Sequence, residues 1–231
     1  MTPDLPRYFD MIPPRFLLAL AMQDNVLRAA LVLRDLRIVA SAKQTFQTDA
    51  GAFDPGEVWY KMKKVVAACF DIGRTQPREL LACALLGDER AWCVWQDNAG
   101  ETDSAGFFDA DALAVPARFR EHDALLCAGA GRAWLLWNLS GAYVLPQDAL
   151  PAWRAHAAQS NLALAEPRGC DAARENCFGT IRARSPFAEP LAIAAVLAET
   201  ELAADGAALA ADEWIQRAAA RVYANIASGE K

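Results

Sequence analysis

The chain has 231 residues, of which 54% are hydrophobic, with seven Trp, ten Phe and a formal net charge of −6. That much apolar material can bury a substantial core, which excludes a disordered chain. The acidic balance argues against a broad nucleic-acid surface, which needs clustered Lys and Arg, and no apolar run reaches the ~20 residues that cross a bilayer.

Residues 1–15 form a proline-rich lead-in. They carry acids and prolines where a signal peptide has a charged start and an apolar centre, so no leader is expected and the cytoplasm is the expected compartment. From Phe16 to Phe46 the chain reads FLLALA, MQDN, VLRAALVL, RDLR, IVASAKQTF. Apolar runs separated by short polar links predict three consecutive strands. A loop with Gly51, Pro55 and Gly56 follows. Asp54 is the expected N-cap of a helix, Pro55 its first residue and Glu57 the reciprocal half of a capping box. Val58, Met62, Val65, Val66 and Cys69 recur at helical spacing as its buried stripe. Lys61, Lys63 and Lys64 read as a solvated face. Asp71, Gly73 and Pro77 are expected to end the helix.

ELLACALLG is a short, continuous apolar run, as expected for a strand buried on both faces. A further strand is expected from Ala91 to Trp95, closed by a turn over residues 96–100. Three meandering strands, a crossover helix and another strand predict a mixed sheet. Residues 101–126 are weakly patterned. A helix is expected over 132–139, an extended piece at Tyr143, Val144 and Leu145, and a helix over 152–165. Residues 167–190, rich in Gly and Pro, read as a long connection. A last strand is expected over 191–197, then alanine-rich helices over 199–211 and 212–227, with Asp212 capping the second. Trp214, Ile215, Ala218, Val222 and Ile226 give that second helix a stripe that must dock on something.

Six cysteines, at 69, 83, 93, 127, 170 and 177, form no CxxC pair. Reduced, buried thiols are expected, with a Cys170–Cys177 bridge as the alternative.

Three segments resemble the N-terminal domain of the FGGY carbohydrate kinases, in the glycerol-kinase and xylulokinase branch. FLLALAMQDNVLRAALVLRDLRIVASAKQTF is similar to that family's opening strand, phosphate turn and two further strands. FDPGEVWYKMKKVVAACF, with the PRELLACALLGDERAWCVWQDNAGE that follows it, is similar to its D-P-x-x-W helix, next strand and W-D-x-x-T-G turn. GRAWLLWNLSGAYVLPQDAL is similar to its W-L-x-x-x-L-T-G helix and following strand. EPLAIAAVLAETELAADGA also resembles the strand and G-D-Q turn that close the family's first domain.

The resemblance implies an α/β, ribonuclease-H-like (actin-like ATPase) fold: a single domain with a mixed sheet flanked by helices, over residues 16–211, with a C-terminal helix at 212–231. It also implies a lost site. Ala21 stands where the family has an Asp, Gln23 where it has a Gly, and Asp24 and Asn25 where it has hydroxyls; Arg28 alone agrees. A phosphate cradle needs glycine freedom and forward-pointing donors, and an acid at Asp24 repels phosphate unless a metal intervenes. In the polyol site Glu89 and Arg90 reverse the family's Arg-Glu order, which points each to the opposite side of an extended segment. Trp92 is the neighbouring aromatic, read first as a core or interface residue and second as a sugar platform. Glu199 takes the position of the catalytic Asp, with an extra methylene. The family's second domain, holding most of the adenine site, has no counterpart.

The resemblance therefore implies a degenerate, non-catalytic domain that binds a protein partner, a second copy through its exposed inter-domain face, or a small sugar or polyol, with no cofactor. The alternative is the substrate half of a kinase completed by another chain, which alone would use ATP and magnesium. Gly129-Ala130-Gly131 is a lone GxG, read as a helix entry before a phosphate loop, no GxSxG elbow accompanies His122 or His156, and neither His has a ligand-spaced partner.

Overall fold

A computed structural model of the chain describes residues 13–23, 25–48, 52–87, 91–98, 101–109, 124–128, 139–140, 144–147, 150–151, 154–155, 158, 168–170, 180–181, 191–198 and 210–229. The three expected opening strands form as a meander: β1 (Phe16–Gln23), β2 (Val26–Val32) and β3 (Ile38–Thr45), each antiparallel to the next. After a short β4 (Ala52–Phe53) comes α1 (Pro55–Gly73), and a 3₁₀ turn (Pro77–Glu79) leads into β5 (Leu80–Gly87). Next in the chain come β6 (Ala91–Asn98), β7 (Glu101–Asp109), β8 (Ala124–Ala128) and β9 (Val144–Pro146). The remaining strands are β10 (Arg168–Cys170), β11 (Thr180–Ile181) and β12 (Leu191–Ala198), and α2 (Ala211–Gly229) closes the described chain.

The main sheet runs β11-β12-β5-β1-β2-β3. β5 pairs parallel with both β1 and β12, so the sheet is mixed, as the strand order predicts. A smaller antiparallel sheet runs β4-β7-β6-β8, and β9 pairs parallel with β10.

α1 starts as expected. The Asp54 carboxylate accepts from the backbone N–H of Gly56 at 2.7 Å and of Glu57 at 3.2 Å. The reciprocal half of the capping box does not form: the Glu57 carboxylate pairs with Lys61, one turn on. Val58, Met62, Val65, Val66 and Cys69 are all buried against the sheet. The helix ends at Arg74, whose left-handed backbone (φ 48) directs its N–H to the Asp71 carbonyl. Gly73 lies close to the sheet: a Cβ there would lie 2.7 Å from Leu31 Cδ1, which would have to shift.

The second face of the sheet is covered by α2. Trp214, Ile215, Ala218 and Val222 bury themselves there, so the predicted stripe does dock, on β1, β2, β5 and β12. The two faces differ in side-chain size. Leu18, Leu20 and Met22 of β1 point toward α1, whereas Leu17, Ala19 and Ala21 point toward α2, joined by Ala30, Ala82, Ala84 and Ala195 and by Val32, Leu86 and Leu197. Small residues on both surfaces let helix and sheet approach closely.

Two polar devices tie the layers. Arg15 donates twice to the Glu79 carboxylate, from Nη2 at 2.9 Å and Nε at 3.1 Å, and its backbone N–H donates to the Glu79 carbonyl. This holds the starts of β1 and β5 side by side. Tyr223 of α2 donates its hydroxyl to the Val32 carbonyl at 2.6 Å and accepts from the Leu17 N–H at 3.0 Å, which bridges β1 and β2 at the end of their ladder.

Four expectations are corrected. The weakly patterned stretch 101–126 contains β7 and β8. Their order comes from ladder bonds to β6, which the mixed composition of ETDSAGFFD does not announce. The connection over 167–190 contains β10 and β11, which at three and two residues are too short to show a period. The strand at Ala91 continues to Asn98, taking in residues 96–98 of the expected turn. Asp212 lies inside the first turn of α2 rather than capping it. The helix expected over 132–139 lies outside the described residues except for Leu139, which is helical. The one over 199–211 lies outside them up to residue 209. Of 152–165, residues 154, 155 and 158 are described, and they are helical.

Tyr223→Phe keeps the ring and removes the bridge, leaving two backbone groups unpaired. Chemical denaturation is expected to show a loss of about 1–3 kcal/mol. Burial raises the Tyr223 phenol above its usual 10.0, so the unfolded chain ionises first. The phenol's contribution is complete below about pH 10 and is lost as pH rises through the folded-state value. Wild type should therefore lose stability in alkali more steeply than Tyr223→Phe.

Candidate functional site

Parallel pairing brings three strand ends to one edge. Met22 of β1 is opposite Gly87 of β5, and Gly87 is opposite Ala198 of β12. The crevice beyond the carboxyl ends of parallel strands is where open α/β sheets hold ligands, because the connecting loops diverge there. The topology thus gathers the β1–β2 turn, the segment after Gly87 and the segment after Ala198, which are the three places where the sequence puts its site residues.

Asp24, Glu89, Arg90 and Glu199 themselves lie outside the described residues. Asn25 is exposed in the β1–β2 turn, and its carbonyl accepts from the Phe46 N–H at 2.9 Å, which pins the turn to the end of β3. Trp92 is in the second sheet, on β6, opposite Phe108 of β7 and Ala128 of β8. Arg28 is on β2, between Ala21 of β1 and Lys43 of β3. Its guanidinium Nη1 lies 3.2 Å from Asp212 Oδ1 in the first turn of α2. That partner was not legible in the sequence. The only cue was an arginine embedded in an otherwise apolar strand, which demands a counter-charge or solvent.

Ala21 decides what the edge can hold. It is 5% exposed and belongs to the alanine-lined layer beneath α2. The β1 end thus carries a methyl group where the resemblance implies a metal-facing carboxylate, and Gln23 follows it in place of a flexible glycine. Among the described residues no group of three His, Cys, Asp or Glu could hold a metal ion. Ala21 itself offers a cation no ligand. The described thiols do not supply a nucleophile either: Cys69 and Cys83 are free and buried. Burial pushes the Cys69 thiol up to about 11 and raises Cys83 further, so both stay protonated and inert near neutrality. Among the described residues, no helix is long and apolar enough to cross a membrane.

No known family profile matches the sequence, and no curated protein sequence does. Solved structures do match. Xylulose kinases from Rhodospirillum rubrum (15% identity, TM-score 0.58) and Brucella ovis (14%, 0.58) each align over 80% of this chain and 49% of their own. Glycerol kinase from Plasmodium falciparum, solved with ADP, aligns over the same shares at 11% identity and a TM-score of 0.54. The chain spans about half the length of the kinases it matches.

Ala21→Asp is expected to lower stability by about 2–4 kcal/mol, because it buries a carboxylate in an apolar layer. A lower urea midpoint with an unchanged m value would register it. With its strand order, its parallel strand ends and these structural neighbours, the chain has the ribonuclease-H-like, actin-like ATPase fold that the sugar kinases carry.

Proposed function

We propose that this chain is a degenerate carbohydrate-kinase-like domain, non-catalytic on its own, that works by binding a protein partner or a small polyol. The observation that supports it most is Ala21: the strand that leads into the phosphate turn ends in a buried methyl layer with no carboxylate. Phosphoryl transfer depends on positioned charge for the metal and the phosphate, and the described part of this edge offers little of it. Two buried, protonated thiols are in keeping with a reducing cytoplasm.

A second reading is favoured by one fact, that the chain spans about half of the kinases it matches. In that reading it is the substrate half of a split sugar kinase, with the nucleotide unit on another chain. Glu199 would be the base, and Glu89, Arg90 and Trp92 would contact the sugar.

A thermal-shift panel separates the two. A ligand at a hundred times its Kd adds about 2.7 kcal/mol of stability, enough to move the melting temperature by several degrees. With glycerol, xylulose and magnesium ATP, the first reading expects no shift from the nucleotide and no ATP hydrolysis. Phosphorylation of any polyol by the chain alone would overturn it. Activity that appears only when a co-purifying second chain is added would establish the split enzyme.

A further inference from the structure

The smaller sheet places two cysteines on one rung. β6 pairs antiparallel with β8, and in an unbroken register Trp92 is opposite Ala128, Cys93 is opposite Cys127 and Val94 is opposite Leu126. Directly opposed residues of an antiparallel pair share one face of the sheet. Their Cα atoms lie about 5.5 Å apart on a hydrogen-bonded rung and about 4.5 Å apart on the other kind. A disulfide spans Cα separations of about 4.4–6.8 Å, so either kind of rung admits one with the backbone in place. The other cysteines on described strands have no such neighbour: Cys83 is opposite Leu18 and Ile193, and Cys170 is opposite Pro146. Cys93 has β7 on its second flank, whereas β8 ends the sheet among the described strands and is held through β6 alone. An edge strand of five residues with one partner is the part of a sheet that opens first. Two opposed cysteines supply half the ligands of a structural zinc site but the whole of a disulfide.

We infer that Cys93 and Cys127 form a reversible disulfide, made by hydrogen peroxide and broken by a dithiol, that staples the edge strand β8 to β6. Peroxide is the two-electron acceptor. One cysteine, as thiolate, attacks the O–O bond: an S–O bond forms, the O–O bond breaks, and the departing hydroxide takes up a proton as water. The second cysteine, as thiolate, attacks the sulfenic sulfur: the S–S bond forms, the S–O bond breaks, and the oxygen leaves as a second water. Both thiol protons end in water, and each sulfur has given up one electron. A dithiol returns the two thiols and is itself oxidised to a disulfide. The bridge closes a stretch of chain that contains β7, so it restrains the unfolded chain as well as the edge of the sheet. In reducing surroundings such a bridge is transient and registers a rise in peroxide. Cys69 and Cys83 are placed differently, buried in the main core beneath α1. The inference rests on the register of the smaller sheet and on neither reading of function given above.

The test is peptide mapping of the full chain by non-reducing mass spectrometry, after hydrogen peroxide treatment and alkylation of the remaining thiols. The expected result is a linked pair of peptides containing Cys93 and Cys127, which dithiothreitol returns to free thiols, with Cys69 and Cys83 unlinked. In the same samples, amide hydrogen exchange over residues 124–128 is expected to slow by at least about tenfold on oxidation and to recover on reduction. Cys127→Ser should lose both effects, and the wild-type map decides the matter even where that variant folds poorly. The inference is overturned if peroxide leaves Cys93 and Cys127 unlinked, or if either joins another cysteine or a second chain in preference. Linkage that leaves exchange in β8 unchanged would overturn it equally, since the strand would then not be stapled.

Discussion

Complete enclosure of β1 is the constraint from which the rest of the molecule follows. The strand is paired on both edges, by β2 and β5, and covered on both faces, by α1 and α2. A strand in that position can carry no charge, and FLLALAMQ carries none. Each fully buried leucine contributes about 1.5–3 kcal/mol, and Leu17, Leu18 and Leu20 all reach near-zero exposure. Its alternation of large and small residues then sets how the helices lie. α1 rests on leucine and methionine side chains, while α2 settles onto alanines set among Leu17, Val32, Leu86 and Leu197.

The same enclosure shapes the edge where a ligand would sit. The clasp between Arg15 and Glu79 holds the starts of β1 and β5 together, and their parallel register carries that alignment to Met22 and Gly87 at the other end. The scaffold therefore still presents three strand ends in a row. At the β1 end the buried layer under α2 continues to Ala21, and Arg28 lies directly opposite it on β2. Polar chemistry survives one strand further out, where Arg28 emerges from the apolar rows and meets Asp212.

The sequence disclosed the elements whose burial imposes a period. The opening meander, the stripe of α1, the apolar run of β5 and the docking stripe of α2 were all legible, because each must hide a defined face. Of the smaller sheet only β6 was legible, as the strand expected from Ala91 to Trp95. Glu101–Asp109 mixes acids, glycine and aromatics, and its strand identity comes from pairing with Ala91–Asn98. The β1–β2 turn was expected over residues 22–25, but β1 runs on through Met22 and Gln23 before it turns; the ion pair of Arg28 with Asp212 was invisible, since 184 positions separate the two. Spacing rules see neighbours along the chain, and a contact made by a returning helix leaves no such trace.

The Tyr223 hydroxyl bridge joins residues 206 positions apart, from Leu17 to the last helix. β1 meets β2 after a two-residue turn, but waits for nearly the whole chain before its alanine side is sealed. Contacts so distant form late, since their loop entropy must be overcome first. A half-assembled molecule with its meander in place therefore shows water a bare apolar strip, and such transient strips are what aggregation and chaperones compete for.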